Sequence, residues 1–144
     1  MALVVKEILR ITKHKAIKLP LFFSSVPAGF PSPAGDYIEK SLDLNEYLIK
    51  HPVATFFVRV QGDSMINAGI HSGDILIVDR AIEPVNNSIV IAALDGELTV
   101  KRVAVRGSSV FLLPENEEYE PIEVKEGSEL YIWGVVTYVI HSVV

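Results

Sequence analysis

The sequence has 144 residues and a mass of 15.9 kDa, enough for one domain with its own core. Hydrophobic residues make up 49% and mean hydropathy is +0.34, which excludes a disordered chain. The absence of cysteine excludes disulfides, thiolate metal sites, iron–sulfur clusters and a cysteine nucleophile, and the net charge of −5 argues against a basic nucleic-acid-coating protein.

The charge is unevenly placed. Residues 1–18 carry Lys6, Arg10, Lys13, Lys15 and Lys18 against Glu7 alone, a net of +4, while the remainder holds 8 basic and 17 acidic residues. This start reads as an interacting arm or as a solvated tail. Residues 3–17 mix helical and strand spacing. Two stretches, Leu19 to Gly35 and Leu130 to Val144, lack charged residues, yet neither supplies the roughly 20 apolar residues of a spanning helix. Leu21-Phe22-Phe23 followed by Val26-Pro27-Ala28 imitates a secretory signal, but the apolar run is short and broken by Ser24 and Ser25. No membrane association or export is expected. Pro27 to Gly35 holds three prolines and two glycines in nine residues, which prevents a helix and marks a linker.

Residues 43–50 predict a short helix, capped by Asp43 and ended by His51-Pro52. Beyond Pro52 the pattern is β. Strands are predicted over 54–61, 74–80, 88–94, 97–105, 109–113 and 129–142, separated by turn residues such as Ser72-Gly73, Asn86-Asn87 and Arg106-Gly107. Asp95-Gly96 between two of them is a two-residue hairpin signal. Strands recurring every ten or so residues point to a mainly β fold: a small, highly curved antiparallel sheet or partial barrel with one short helix and an extended N-terminal arm.

The four histidines, His14, His51, His71 and His141, form no metal-spaced pair on a helix face, and none is an evident base for a serine. No phosphate loop or dinucleotide fingerprint is present. What remains is Gly62-Asp63-Ser64-Met65, directly after the strand 54–61 and before a possible helical turn at 65–70. A serine there lies near free backbone N–H groups, its own included, that can stabilise an oxyanion. Read blandly, it is a helix cap. A serine nucleophile needs a base. Lys101, 37 residues on, sits in a strand where Thr99, Lys101 and Val103 share one face. Desolvation there would lower the amine's pKa and make it usable as a general base, with Thr99 orienting it. A lysine with its head in water and an ordinary β-forming threonine account for the same residues.

The runs Phe57 to Met65, Gly69 to Asp79 and Asp95 to Arg102, in this order and spacing, resemble the LexA/UmuD class of self-cleaving serine peptidases. The resemblance extends to Leu19-Pro-Leu-Phe, Gly29 to Tyr37, Asp43-Leu-Asn and His51-Pro52, and so to nearly all of residues 19–144. It implies the C-terminal domain fold of that class, a Ser64–Lys101 dyad and self-cleavage at Ala28-Gly29. A proline-flanked extended segment with small residues suits a strand lying in a protease cleft. The organisation expected is a removable arm over 1–28, a linker region over 29–42 and a peptidase domain over 43–144. The segment before Gly29 is too short for a helix-turn-helix domain, which favours the UmuD-like branch over the repressors. That branch implies a cytoplasmic homodimer whose substrate is its own arm. Cleavage would be stimulated by a RecA–single-stranded-DNA filament, and the trimmed form would serve a UmuC-like Y-family polymerase in the DNA-damage response. No cofactor, metal, direct DNA binding or membrane is expected. The alternatives are a non-catalytic binding module that regulates a polymerase, and a LexA-like or signal-peptidase-like protease acting in trans.

Overall fold

The computed structural model describes residues 2–11, 16–22 and 38–144. Ten strands form among them: β1 (Val4–Arg10), β2 (Lys18–Phe22), β3 (Ile38–Asp43), β4 (Thr55–Gln61), β5 (Ile75–Asp79), β6 (Ile89–Leu94), β7 (Glu97–Arg106), β8 (Ser109–Leu113), β9 (Ile122–Val124) and β10 (Leu130–Ile140). One short helix, α1 (Leu44–Leu48), follows β3. The chain divides into two compact units, Met1–Ile11 with His51–Val144, and Thr12–Lys50. The linker Pro27 to Gly35 and the Ala28-Gly29 bond lie outside the described residues.

In the larger unit the strands run β1-β4-β5-β10-β6-β7-β8-β9, and β1 also pairs with β7. The expected curved sheet therefore closes into a six-strand barrel, and β8 and β9 extend it. All its pairings are antiparallel. Part of the expected arm, Val4 to Arg10, is itself a barrel stave. The register of β1 against β4 shifts between Val5 and Glu7, an irregularity that breaks period-two alternation and explains the mixed pattern in the sequence.

β10 turns the corner of the barrel. Its first half pairs with β6 and its second with β5, with register shifts between Ile132 and Gly134 and between Val136 and Tyr138. Gly134 lies at that bend for a steric reason. A Cβ there would come within 2.7 Å of Val78 Cγ1 and 3.2 Å of the Asp79 carbonyl oxygen. Asp95-Gly96 makes the predicted hairpin between β6 and β7, with φ of 50° and 85°, the doubly left-handed turn that matches strand twist.

Two apolar clusters fill the unit. Leu3, Val58, Val60, Met65, Ile70, Leu76, Val78, Ile91 and Val100 form one, and Val90, Ala92, Val103, Leu112 and Val135 the other. Alternation along β6 and β7 sends successive residues to the two clusters, Ile91 and Val100 to the first, Val90, Ala92 and Val103 to the second. In the smaller unit β2 pairs with β3 antiparallel, from Lys18 opposite Asp43 to Phe22 opposite Ile38. Asp43 caps α1 as expected, its carboxylate accepting the Asn45 N–H at 3.0 Å.

Candidate active site

β4 delivers the chain to Gly62-Asp63-Ser64, and a 3₁₀ turn over Ile66–Ala68 follows. Ser64 is fully buried, 0% exposed. It is not the cap of that turn, which is Met65, so the bland reading of the serine does not describe it. β7 brings Lys101 to the same place, and Lys101 is only 5% exposed. Its Nζ lies 3.3 Å from Ser64 Oγ, 3.1 Å from Thr99 Oγ1 and 3.2 Å from the Val100 carbonyl oxygen. The three residues singled out on β7 and after β4 are thus in one contact group. Lys101 stands opposite Val90 in the β6–β7 register, so its stem is flanked by apolar chain.

That environment acts on the amine. Burial pushes the Lys101 pKa below its ordinary 10.5, opposed by the negative charge of Glu97. The hydrogen-bond partners accommodate both forms of the amine: an ammonium donates to all three. Thr99 donates its one hydroxyl proton to the Leu3 carbonyl at 2.9 Å, so towards Lys101 it can only accept. The Val100 carbonyl is also an acceptor only. A neutral amine has two N–H bonds and one lone pair. Spending the two N–H bonds on Thr99 and Val100 leaves the lone pair for the Ser64 hydroxyl proton, the arrangement a general base requires.

The nucleophile turn is held by a loop that the sequence reading passed over. Glu115 N–H donates to the Ser64 carbonyl at 2.8 Å, and Asn67 N–H donates to the Glu115 carbonyl at 2.9 Å. Asn116 Nδ2 donates to the Asp63 carbonyl at 3.0 Å, and the Tyr119 hydroxyl donates to Asp63 Oδ1 at 2.6 Å. The Tyr119 bond holds the Asp63 carboxyl below its usual value, and the same bond pushes the Tyr119 phenol up to about 12. Arg102, beside Lys101 on β7, donates to the Glu115 carboxylate and to the Asn87 carbonyl. The only hint in the sequence is a polar, acidic segment after β8, which looks like any exposed loop.

A cleft runs past Lys101, lined by Ala2, Leu94, Thr99, Tyr119, Glu120 and Ile122. A larger groove at the far end of β1, lined by Ile8, Arg10, Pro52, Phe56, Arg80 and Trp133 among others, contains neither Ser64 nor Lys101.

Three of the four histidines are more engaged than their spacing suggests, and His14 lies outside the described residues. His71 and Asp74 of one turn meet His141 from the far end of the chain, their candidate ligand atoms within 4.8 Å of one another. His141 Nδ1 lies 2.6 Å from Asp74 Oδ1, and the His71 backbone N–H donates to Asp74 Oδ2 at 2.8 Å. The two rings stack with centroids 4.5 Å apart. Buried Asp74 therefore clasps the turn before β5 to the chain end after β10. His51, expected only as a helix-end residue, has its Nδ1 2.6 Å from Asp79 Oδ2. Sequence separations of 67 and 28 residues hide both pairs.

Comparison with known proteins gives a consistent picture. Residues 20–137 match the family model described as Peptidase S24-like. The chain is 53% identical to Protein SamA of Salmonella typhimurium over 123 residues, covering 85% of each chain. It is 42% identical to Protein MucA of Escherichia coli over 121 residues, covering 83% of this chain and 82% of that one. It is 46% identical to the LexA repressor of Aeromonas hydrophila over 125 residues, which covers 86% of this chain but 59% of the repressor. No helix among the described residues is long and apolar enough to cross a membrane.

Proposed function

The chain belongs to the Peptidase S24-like family, the LexA/UmuD class of self-cleaving serine peptidases, and from that premise we propose that Ser64 and Lys101 cut its own Ala28-Gly29 bond. The observation that carries this reading is the buried 3.3 Å approach of Lys101 Nζ to Ser64 Oγ.

The chemistry follows from the groups present. Uncharged Lys101 takes the Ser64 hydroxyl proton as Oγ attacks the Ala28 carbonyl carbon. The carbonyl oxygen becomes an oxyanion, for which the Ser64 backbone N–H is the candidate donor. Collapse of the intermediate breaks the C–N bond, and the Lys101 ammonium returns its proton to the departing Gly29 nitrogen. Water, deprotonated by the same amine, then hydrolyses the acyl-serine, leaving the Ala28 carboxylate and free Ser64. The substrate is tethered, so its local concentration is of millimolar order. Ala and Gly side chains let the scissile backbone come close to Oγ, and the flanking prolines keep it extended. On this reading residues 1–28 are the released arm, 29–42 the linker region and 43–144 the peptidase portion.

The protein is of the UmuD type that acts in mutagenesis. We further infer a cytoplasmic homodimer, cleavage stimulated by a RecA–single-stranded-DNA filament, and a trimmed form acting as accessory subunit of a UmuC-like Y-family polymerase. These are expectations that come with the family resemblance. Purified protein incubated at mildly alkaline pH tests the reading, because that pH uncharges the lysine. Intact-mass measurement should show the fragments 1–28 and 29–144. Unchanged mass, with and without the RecA filament, overturns it.

A further inference from the structure

We propose that Ala2 to Arg10 is an inhibitory plug of this peptidase site: it takes the place of a substrate strand between β4 and β7 in a register that cannot be cut, and it must leave before a scissile segment can enter. The proposal rests on the peptidase reading above and concerns how that site is kept silent.

The strand β1 occupies the gap between the two elements that carry the reactive groups. It pairs with β4, which leads into Ser64, from Val4 opposite Gln61 to Arg10 opposite Phe56. Its first residue, Val4, stands opposite Thr99 on β7, two residues from Lys101. A peptide that binds by strand addition and must reach both Ser64 and Lys101 would compete for these same backbone edges.

Contacts at the reacting atoms are equally direct. Leu3 is fully buried, 0% exposed, within the main apolar cluster. Its N–H donates to Ser64 Oγ at 2.8 Å, and its carbonyl accepts the Thr99 hydroxyl at 2.9 Å. The strand therefore presents an amide N–H to the nucleophile, where a substrate must present a carbonyl carbon. That N–H engages an Oγ lone pair needed for attack, and the Leu3 carbonyl is held by Thr99. The geometry is that of an inhibitor bound through its backbone.

The nucleophile turn is shaped to receive this strand. Gly62 has φ of 110°, and a Cβ there would lie 2.1 Å from the Ala2 carbonyl oxygen. The backbone of Ala2 thus fills the space a side chain at position 62 would take. The plug also lies outside residues 20–137, the span matched by the peptidase family model.

If the plugged form dominates, the apparent cutting rate is the intrinsic rate multiplied by the small unplugged fraction. Loosening the plug therefore accelerates cutting. The experiment uses the full chain and a synthetic peptide of residues 20–37 supplied in trans, with cleavage at Ala28-Gly29 read by mass. Leu3→Asp, which places a charge where Leu3 is buried, should cut at least about 10-fold faster than wild type. Adding a peptide of residues 2–10 should slow that variant again, whereas the same peptide carrying aspartate in place of leucine should not. If Leu3→Asp loses its cooperative thermal melt, Leu3→Ala replaces it, with the same expected direction. Equal rates in wild type and a folded Leu3 variant overturn the plug and leave the peptidase reading standing. Absence of cutting in every chain at every pH overturns the peptidase reading, and the plug with it.

Discussion

Lys101 Nζ and Ser64 Oγ stand 3.3 Å apart although 37 residues separate them in sequence, and neither side chain has meaningful access to solvent. The turn after β4 supplies one and the middle of β7 the other. A barrel stave and a strand-end turn are rigid supports, which suits a pair of groups that must exchange a proton.

The pH dependence of self-cleavage follows from the amine. Burial lowers the Lys101 pKa from 10.5, and the Glu97 charge partly restores it. Cutting requires the neutral amine, so the rate should rise with pH through a midpoint below 10.5 and level off above it. Glu97→Gln removes the opposing charge and should move the midpoint to lower pH, more clearly at low salt. A midpoint that is unmoved or moves upward contradicts this assignment.

The same shift makes a prediction for stability. The folded-state pKa of Lys101 lies below its unfolded value, so the unfolded chain binds the extra proton between the two. Charging the buried amine costs stability fully below the folded pKa, and the cost fades as pH rises towards 10.5. Lys101→Met should therefore be more stable than wild type at neutral pH, with a difference that shrinks as pH rises. Denaturant midpoints at several pH values would show the trend, and a difference that grows with pH would contradict it.

Tyr119 tests whether the loop after β8 positions the nucleophile. Tyr119→Phe deletes the 2.6 Å bond to Asp63 Oδ1, one residue before Ser64. Cleavage should slow by up to about 100-fold through misplacement of Oγ, with the midpoint of the pH profile unchanged. A shifted midpoint would mean that the tyrosine acts on the base instead.

Gly134→Ala probes the corner of the barrel. The added methyl would meet Val78 Cγ1 at 2.7 Å in a packed interior, and the variant should lose about 1–3 kcal/mol in a denaturant titration. A loss near zero would show that β10 can shift without cost.

Much of this was legible because its signals are local. The Asp43 cap, the Asp95-Gly96 hairpin and the six strand patterns after Pro52 each depend on a few consecutive residues. Ser64, Thr99 and Lys101 were legible from strand alternation together with the motif context. What the sequence does not show is held by distant partners. Strand β9 is only three residues long, and β2 and β3 pair across residues 23–37. Glu115, Asn116 and Tyr119 matter through bonds to Asp63 and Ser64 more than fifty residues away. The role of Leu3 depends on closure of the barrel, which no pattern in residues 3–17 could reveal. His71, Asp74 and His141 meet only when β5 and β10 pair.

Ser64 and Lys101 are proposed to cut the Ala28-Gly29 bond together. The most direct test is the cleavage rate of wild type, Ser64→Ala and Lys101→Ala side by side, with the new terminus identified by sequencing. Wild type should yield a product beginning at Gly29, and each variant should lose about 10⁴-fold or more in rate while keeping a cooperative melt. Cutting at the wild-type rate by either variant, or a product that begins elsewhere, would contradict the claim.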